Sequence, residues 1–149
     1  MEARWISVQR MLIGLALLWM SMLSSYDLAQ RRLPNWLTIP GFAVIMLTAV
    51  GCGHFRAALV GAATLGAVYL LVHQVAPAAM GAGDVKLAVG VGALTGAFGY
   101  DVWVLAAVGA PLLTATWALV ALSRRSSSTV PHGPSMCIAT LAASAAAML

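Results

Sequence analysis

The chain has 149 residues, 62% of them hydrophobic and 8% charged, with a formal net charge of +4. An ordinary soluble domain is about a quarter charged, and a soluble fold of this size has no interior large enough for so much apolar surface. The composition therefore excludes a soluble domain and indicates an integral membrane protein, with residues 1–149 forming one compact unit.

Six apolar stretches follow one another, over roughly residues 11–26, 36–52, 57–76, 85–98, 102–122 and 135–149. A spanning helix needs about 20 residues. The first, fourth and sixth stretches are short by that measure, so their flanks, including Tyr26 and Asp84, are expected to extend them. The predicted fold is all-α, a polytopic membrane bundle of about six transmembrane helices.

The breaks carry turn chemistry. Leu33-Pro34-Asn35 separates the first two stretches, with Asn35 placed to cap the second. Pro77 precedes a Gly-Ala-Gly turn, and Gly99 precedes Asp101, an expected N-cap. Residues 126–134 form the longest polar loop. Gly92 and Gly96 inside the fourth stretch would let two helix backbones approach closely.

The basic residues sit in short clusters between apolar runs, Arg31-Arg32 and Arg124-Arg125 among them. That is the pattern of membrane-flanking charge, not of a nucleic-acid groove. One side of the expected bundle holds Arg31, Arg32, Lys86, Arg124 and Arg125, and the other Arg4, Arg10 and Arg56. The richer side is expected to be cytoplasmic, with the N-terminus outside. Arg4 and Arg10 favour the opposite sense and resemble a signal-peptide n-region, although no small-x-small cleavage site follows.

Only four side chains are acidic, and two of them, Asp27 and Asp84, lie at the edges of apolar runs. A carboxylate costs about 2.5–3.5 kcal/mol at the bilayer centre and less near the interface, so it is rarely idle there. Asp84 follows Gly81-Ala82-Gly83, whose two glycines allow backbone conformations and close contacts that a side chain would block. By position alone it is an N-cap or a catalytic group. Asp27 ends the first helix, where the helix dipole disfavours a carboxylate. It is a functional group or the partner of Arg31 or Arg32. Two carboxylates can share a proton and activate water with no metal and no cofactor.

Tyr26-Asp27, then Arg31-Arg32-Leu33-Pro34-Asn35, then Gly81-Ala82-Gly83-Asp84-Val85-Lys86-Leu87 resembles the prepilin peptidases, the type IV leader peptidases of the Gly-x-Gly-Asp aspartic kind. Pro131-His132-Gly133-Pro134 is similar to the family's late Pro-x-Gly-Pro segment. The resemblance implies one membrane-embedded peptidase domain with Asp27 and Asp84 as catalytic residues. It implies cleavage of the leader from a type IV prepilin or pseudopilin at the cytoplasmic face of the bacterial inner membrane. A cysteine-pair domain accompanies N-methylation in larger members. Cys52 and Cys137 do not replace it, so the resemblance is to the short, peptidase-only forms linked to Flp-type pili.

Arg31, Pro34, Asn35, Gly81 and Gly83 are expected to support the site. Lys86 either orients Asp84 or meets lipid phosphate. His73 reads as a satisfied or interfacial histidine, His54 as exposed in the outer loop, and His132 as an unremarkable loop residue near the active face. Several of the five tryptophans lie near helix ends, as interfacial tryptophans do. No histidine–carboxylate cluster suggests zinc, and the two cysteines sit in apolar surroundings without a metal or disulfide motif. The expected partners are the prepilin substrate and membrane lipid. The alternatives are a small proton-coupled transporter, since intramembrane carboxylates serve proton relays, and a membrane assembly subunit whose aspartates pair with arginines.

Overall fold

The computed structural model describes residues 2–30, 33–78, 80–124 and 132–147. Arg31, Arg32 and Arg125, and with them the expected Asp27–arginine pairing, lie outside the described residues, as do residues 126–131. Six helices occupy the described chain: α1 (Glu2–Gln30), α2 (Asn35–Gly51), α3 (Phe55–Val75), α4 (Ala82–Phe98), α5 (Tyr100–Ser123) and α6 (His132–Ala146). Each apolar stretch became a helix; the flanks lengthened α1, α3, α4 and α5, whereas α2 and α6 begin earlier without growing longer. α1 changed most, gaining its first turns before Met11 and a last turn beyond Asp27. Its 29 residues span about 43 Å at about 1.5 Å per residue. α3 and α5 are each long and apolar enough to cross a bilayer, whereas the apolar α2 has 17 residues.

Two glycines turn the chain at the end away from the aspartates. Gly53 has φ 74° between α2 and α3, and Gly99, with φ 130°, alone separates α4 from α5. Both lie in the region that L side chains avoid. Asp101 is therefore not the expected N-cap. Gly99 takes that place and Asp101 falls inside the first turn of α5.

The closest packing is between α3 and α4 and between α5 and α6, while α1 rests chiefly on α6. In the first pair the backbones touch. A β-carbon on Gly61 would overlap the Gly92 carbonyl, one on Gly92 would overlap the Gly61 carbonyl, and one on Gly96 would lie 2.6 Å from the Ala57 carbonyl. Such close approach is how membrane helices gain dispersion contact when lipid is as apolar as their side chains. Trp103 Nε1 then donates to the Gly61 carbonyl at 3.1 Å.

Trp19 departs from the interfacial expectation. It is a wedge in mid-helix: its ring fills the space beside Gly41 and lies where a β-carbon on Gly90 would meet it at 2.8 Å. Its Nε1 donates to the Leu37 carbonyl at 2.8 Å. Met20, Leu23, Leu87, Val91 and Met136 are fully buried and form the shared core of α1, α4 and α6. The outward faces are apolar as well, with Leu47 72% and Leu122 74% exposed. A surface that apolar over a whole helix face suits lipid rather than water.

Candidate active site

Asp27 lies in the last turn of α1, half-buried. The start of α6 closes over it. A β-carbon on Gly133 would overlap the Asp27 carboxylate, so a larger residue there would force that carboxylate to move. Pro134 follows in the first turn of α6, where its missing N–H costs nothing. The carboxylate also interacts electrostatically with His132 and with Cys137. Cys137 shares a hydrogen bond with Ser24, one turn before Asp27. Cys137 lies in the apolar core as expected, but the polar Ser24 and Asp27 also border it.

Asp84 is the third residue of α4, and Gly81 is the N-cap. Its Oδ2 accepts from Gly81 N at 3.1 Å. The sequence left capping and chemistry as alternatives, and the geometry gives Asp84 a capping bond from the N3 position rather than the N-cap itself. The two glycines before it differ in role. Gly81 has φ −76°, an ordinary value, and a β-carbon there would be 3.7 Å from Asp84 Oδ2, normal contact. The expected special conformation is therefore absent. Gly83 meets the close-contact expectation, since a β-carbon there would come within 3.2 Å of Leu33 Cβ.

The 33–35 turn holds both carboxylate-bearing helices. Pro34 is the N-cap of α2, and its carbonyl accepts from Leu37 N at 3.1 Å and Thr38 N at 3.2 Å. Asn35 does not cap α2. It is the first helical residue, and its Oδ1 accepts from Lys86 Nζ at 2.7 Å. Lys86 is thereby committed to the turn and so ties α4 to α2. On the other side Tyr26 meets Trp36 edge-on, centroids 5.5 Å apart, which pins the end of α1 to the start of α2.

The histidines divide three ways. His54 is exposed in the far turn, as expected. His73, expected to be satisfied, donates from Nδ1 to the Met80 carbonyl at 2.8 Å and so anchors the chain entering Gly81. It also interacts electrostatically with Asp84. His132 departs from the loop reading. It is the first residue of α6, half-buried, with Nε2 2.9 Å from the Tyr69 hydroxyl and Nδ1 2.6 Å from Thr114 Oγ1. Tyr69 in turn interacts electrostatically with Asp84. The two carboxylates therefore sit in neighbouring clusters at one end of the bundle, joined through Tyr69 and His132. Neither Tyr69 nor Thr114 stood out in the sequence, because a lone polar residue in an apolar run gives no sign of its partner.

The family model described as the type IV leader peptidase family matches residues 14–148. The chain belongs to the type IV leader peptidase family. Neither a curated protein nor a solved structure gave a significant match. The family match makes this a membrane-associated peptidase. It spans α1 to α6 and so includes both carboxylate clusters and the Tyr69–His132 link between them.

A separate apolar cavity of about 470 Å³ lies between α1, α2 and α4. Its lining runs from Trp36, beside the Tyr26–Asp27 end, to His54 at the opposite end.

Proposed function

We propose that this type IV leader peptidase is an intramembrane aspartic endopeptidase in which Asp27 and Asp84 form the catalytic pair. The observation that carries the reading is the placement of both carboxylates at one end of the bundle, in clusters joined by the Tyr69–His132 hydrogen bond. In the proposed step one carboxylate, ionised, takes a proton from water. The other, protonated, donates a hydrogen bond to the scissile carbonyl. Two close carboxylates do not both ionise readily, so the pair titrates as a unit with two separated apparent pKa values.

All six helices are proposed to span the bacterial cytoplasmic membrane as one peptidase domain. The exposed apolar faces of α2, α3 and α5 support this. With the Asp27–Asp84 end cytoplasmic, Lys86 and Arg124 follow the positive-inside tendency. The substrate is proposed to be a type IV prepilin or pseudopilin of the Flp type. Its basic leader would lie at the cytoplasmic face and its apolar helix would lie beside the bundle. The residues Pro34, Asn35, Gly83 and Lys86 would hold the pair in place, Gly81 donating to Asp84 and Arg31 meeting anionic lipid.

The test is cleavage of a prepilin by purified protein, wild type beside Asp27→Asn and Asp84→Asn. Each change should nearly abolish cleavage while the protein stays folded in the membrane. Robust processing by either variant would remove the aspartate pair from the mechanism.

A further inference from the structure

Tyr69 and His132 form a directed chain that the aspartate chemistry does not use. Tyr69 is 5% exposed, and a buried phenol needs a partner for its O–H. Direction follows from Thr114. Its hydroxyl donates to the Ala110 carbonyl at 3.0 Å, and a hydroxyl has one proton. Toward His132 it therefore accepts, at 2.6 Å. That places the imidazole proton on Nδ1 and leaves Nε2 to accept from the Tyr69 hydroxyl at 2.9 Å. Each proton in the chain then has an acceptor.

The chain bridges the two most closely packed helix pairs, α3–α4 and α5–α6. Tyr69 is on α3, which packs chiefly on α4, the helix of Asp84. His132 is on α6, which packs chiefly on α5 and, about equally, on α1, which carries Asp27, and on α4. Apolar packing between these groups is non-directional, and in lipid it lacks even the hydrophobic driving force. A reacting pair needs placement to within about half an ångström. Directional bonds between the two pairs add the register that apolar packing alone does not fix.

We propose that the Tyr69–His132–Thr114 hydrogen-bond chain is a positioning device that sets the relative placement of Asp27 and Asp84. It rests on the aspartate-pair reading above. Tyr69 and His132 act through the carboxylates and leave the substrate to them. Breaking the link lets the α3–α4 pair shift against α1, α5 and α6, and the carboxylates lose register while the substrate surface stays.

The experiment uses the purified full-length protein and a prepilin with a basic leader, a glycine before the cut and an apolar helix after it. Tyr69→Phe removes one hydroxyl and keeps the ring. His132→Asn places an amide near the Nδ1 position and keeps only the Thr114 bond. His132→Gln reaches the Nε2 position and keeps the Tyr69 bond. Tyr69→Phe and His132→Asn should each lower kcat about tenfold with KM within about twofold, since small misplacement of reacting groups costs this much. The double variant should be no worse than the lower single, because both remove one bond. His132→Gln should lie severalfold above His132→Asn. Wild-type kcat in Tyr69→Phe, a change in KM alone, or equal losses in both His132 variants tracking a loss of thermal stability would overturn the proposal. Asp27→Asn and Asp84→Asn run in parallel. If they remain active, the aspartate pair and this inference fall together. If they are inactive while Tyr69→Phe is fully active, only this inference falls.

Discussion

Gly133→Ala tests how tightly α6 frames Asp27. An added β-carbon would lie 2.9 Å from Asp27 Cγ and 3.3 Å from its Cβ, and would overlap Oδ2. Ordinary contact begins at 3.4 Å, so the carboxyl carbon must retreat by at least about half an ångström and the oxygen by more. A displacement of about 1 Å costs up to about 100-fold in rate. The expected result is a fall in kcat of about 10- to 100-fold, or about 1.4 to 2.7 kcal/mol in the barrier, with KM little changed. Stability should move less. Overpacking costs about 1–3 kcal/mol, and replacing glycine with alanine within a helix returns up to about 1 kcal/mol. The assay is steady-state prepilin cleavage beside a thermal melt in the same detergent. Gly14→Ala is the control, because nothing lies within 4 Å of a β-carbon there. Gly133→Ala with activity within twofold of wild type would refute the close placement of α6 on Asp27, and so would equal losses in Gly14→Ala.

The Asp27→Asn, Asp84→Asn double variant should be scarcely slower than either single variant in the same cleavage assay, since groups acting as a unit are non-additive; multiplied losses would mean separate roles. Asn35→Ala and Lys86→Ala should each lower activity by a few-fold, in line with one exposed hydrogen bond of about 0.5–1.5 kcal/mol, and the pair together should do no more; additive losses would show that the 2.7 Å bond is not what they share. Gly92→Leu should strip the fold of stability in a thermal melt, because its side chain would enter the Gly61 backbone, whereas an unchanged melting temperature would dismiss the α3–α4 backbone contact. Cleavage should survive a strong chelator and the change Cys137→Ala, because carboxylate-activated water needs neither an ion nor a thiol; activity lost to the chelator and restored by zinc would point to a metallopeptidase.

The six helices were legible in the sequence because apolar runs and turn residues act locally. Hydrophobic length places a helix, and Pro34, Pro77 and Gly99 mark where one ends without reference to the rest of the chain. Asp27 and Asp84 stood out for an equally local reason: a carboxylate at the edge of an apolar run is costly wherever the run packs. The capping assignments at Asn35 and Asp101 failed for a different reason. Capping is decided by one or two residues of register, and at Asn35 the side chain is held by Lys86, 51 positions away.

What the tertiary structure alone decided is which side chains meet. Gly133 is a glycine because Asp27 occupies the space of its β-carbon, and a sequence carries no record of that neighbour. His132 looked like a loop residue until Tyr69 and Thr114 were found on its two ring nitrogens. These partners come from three helices separated by up to 63 positions. Local propensity and hydrophobic period fix each helix by itself, but hydrogen bonds between helices depend on their packing. That packing is set in turn by where small residues such as Gly61, Gly92 and Gly96 let backbones touch.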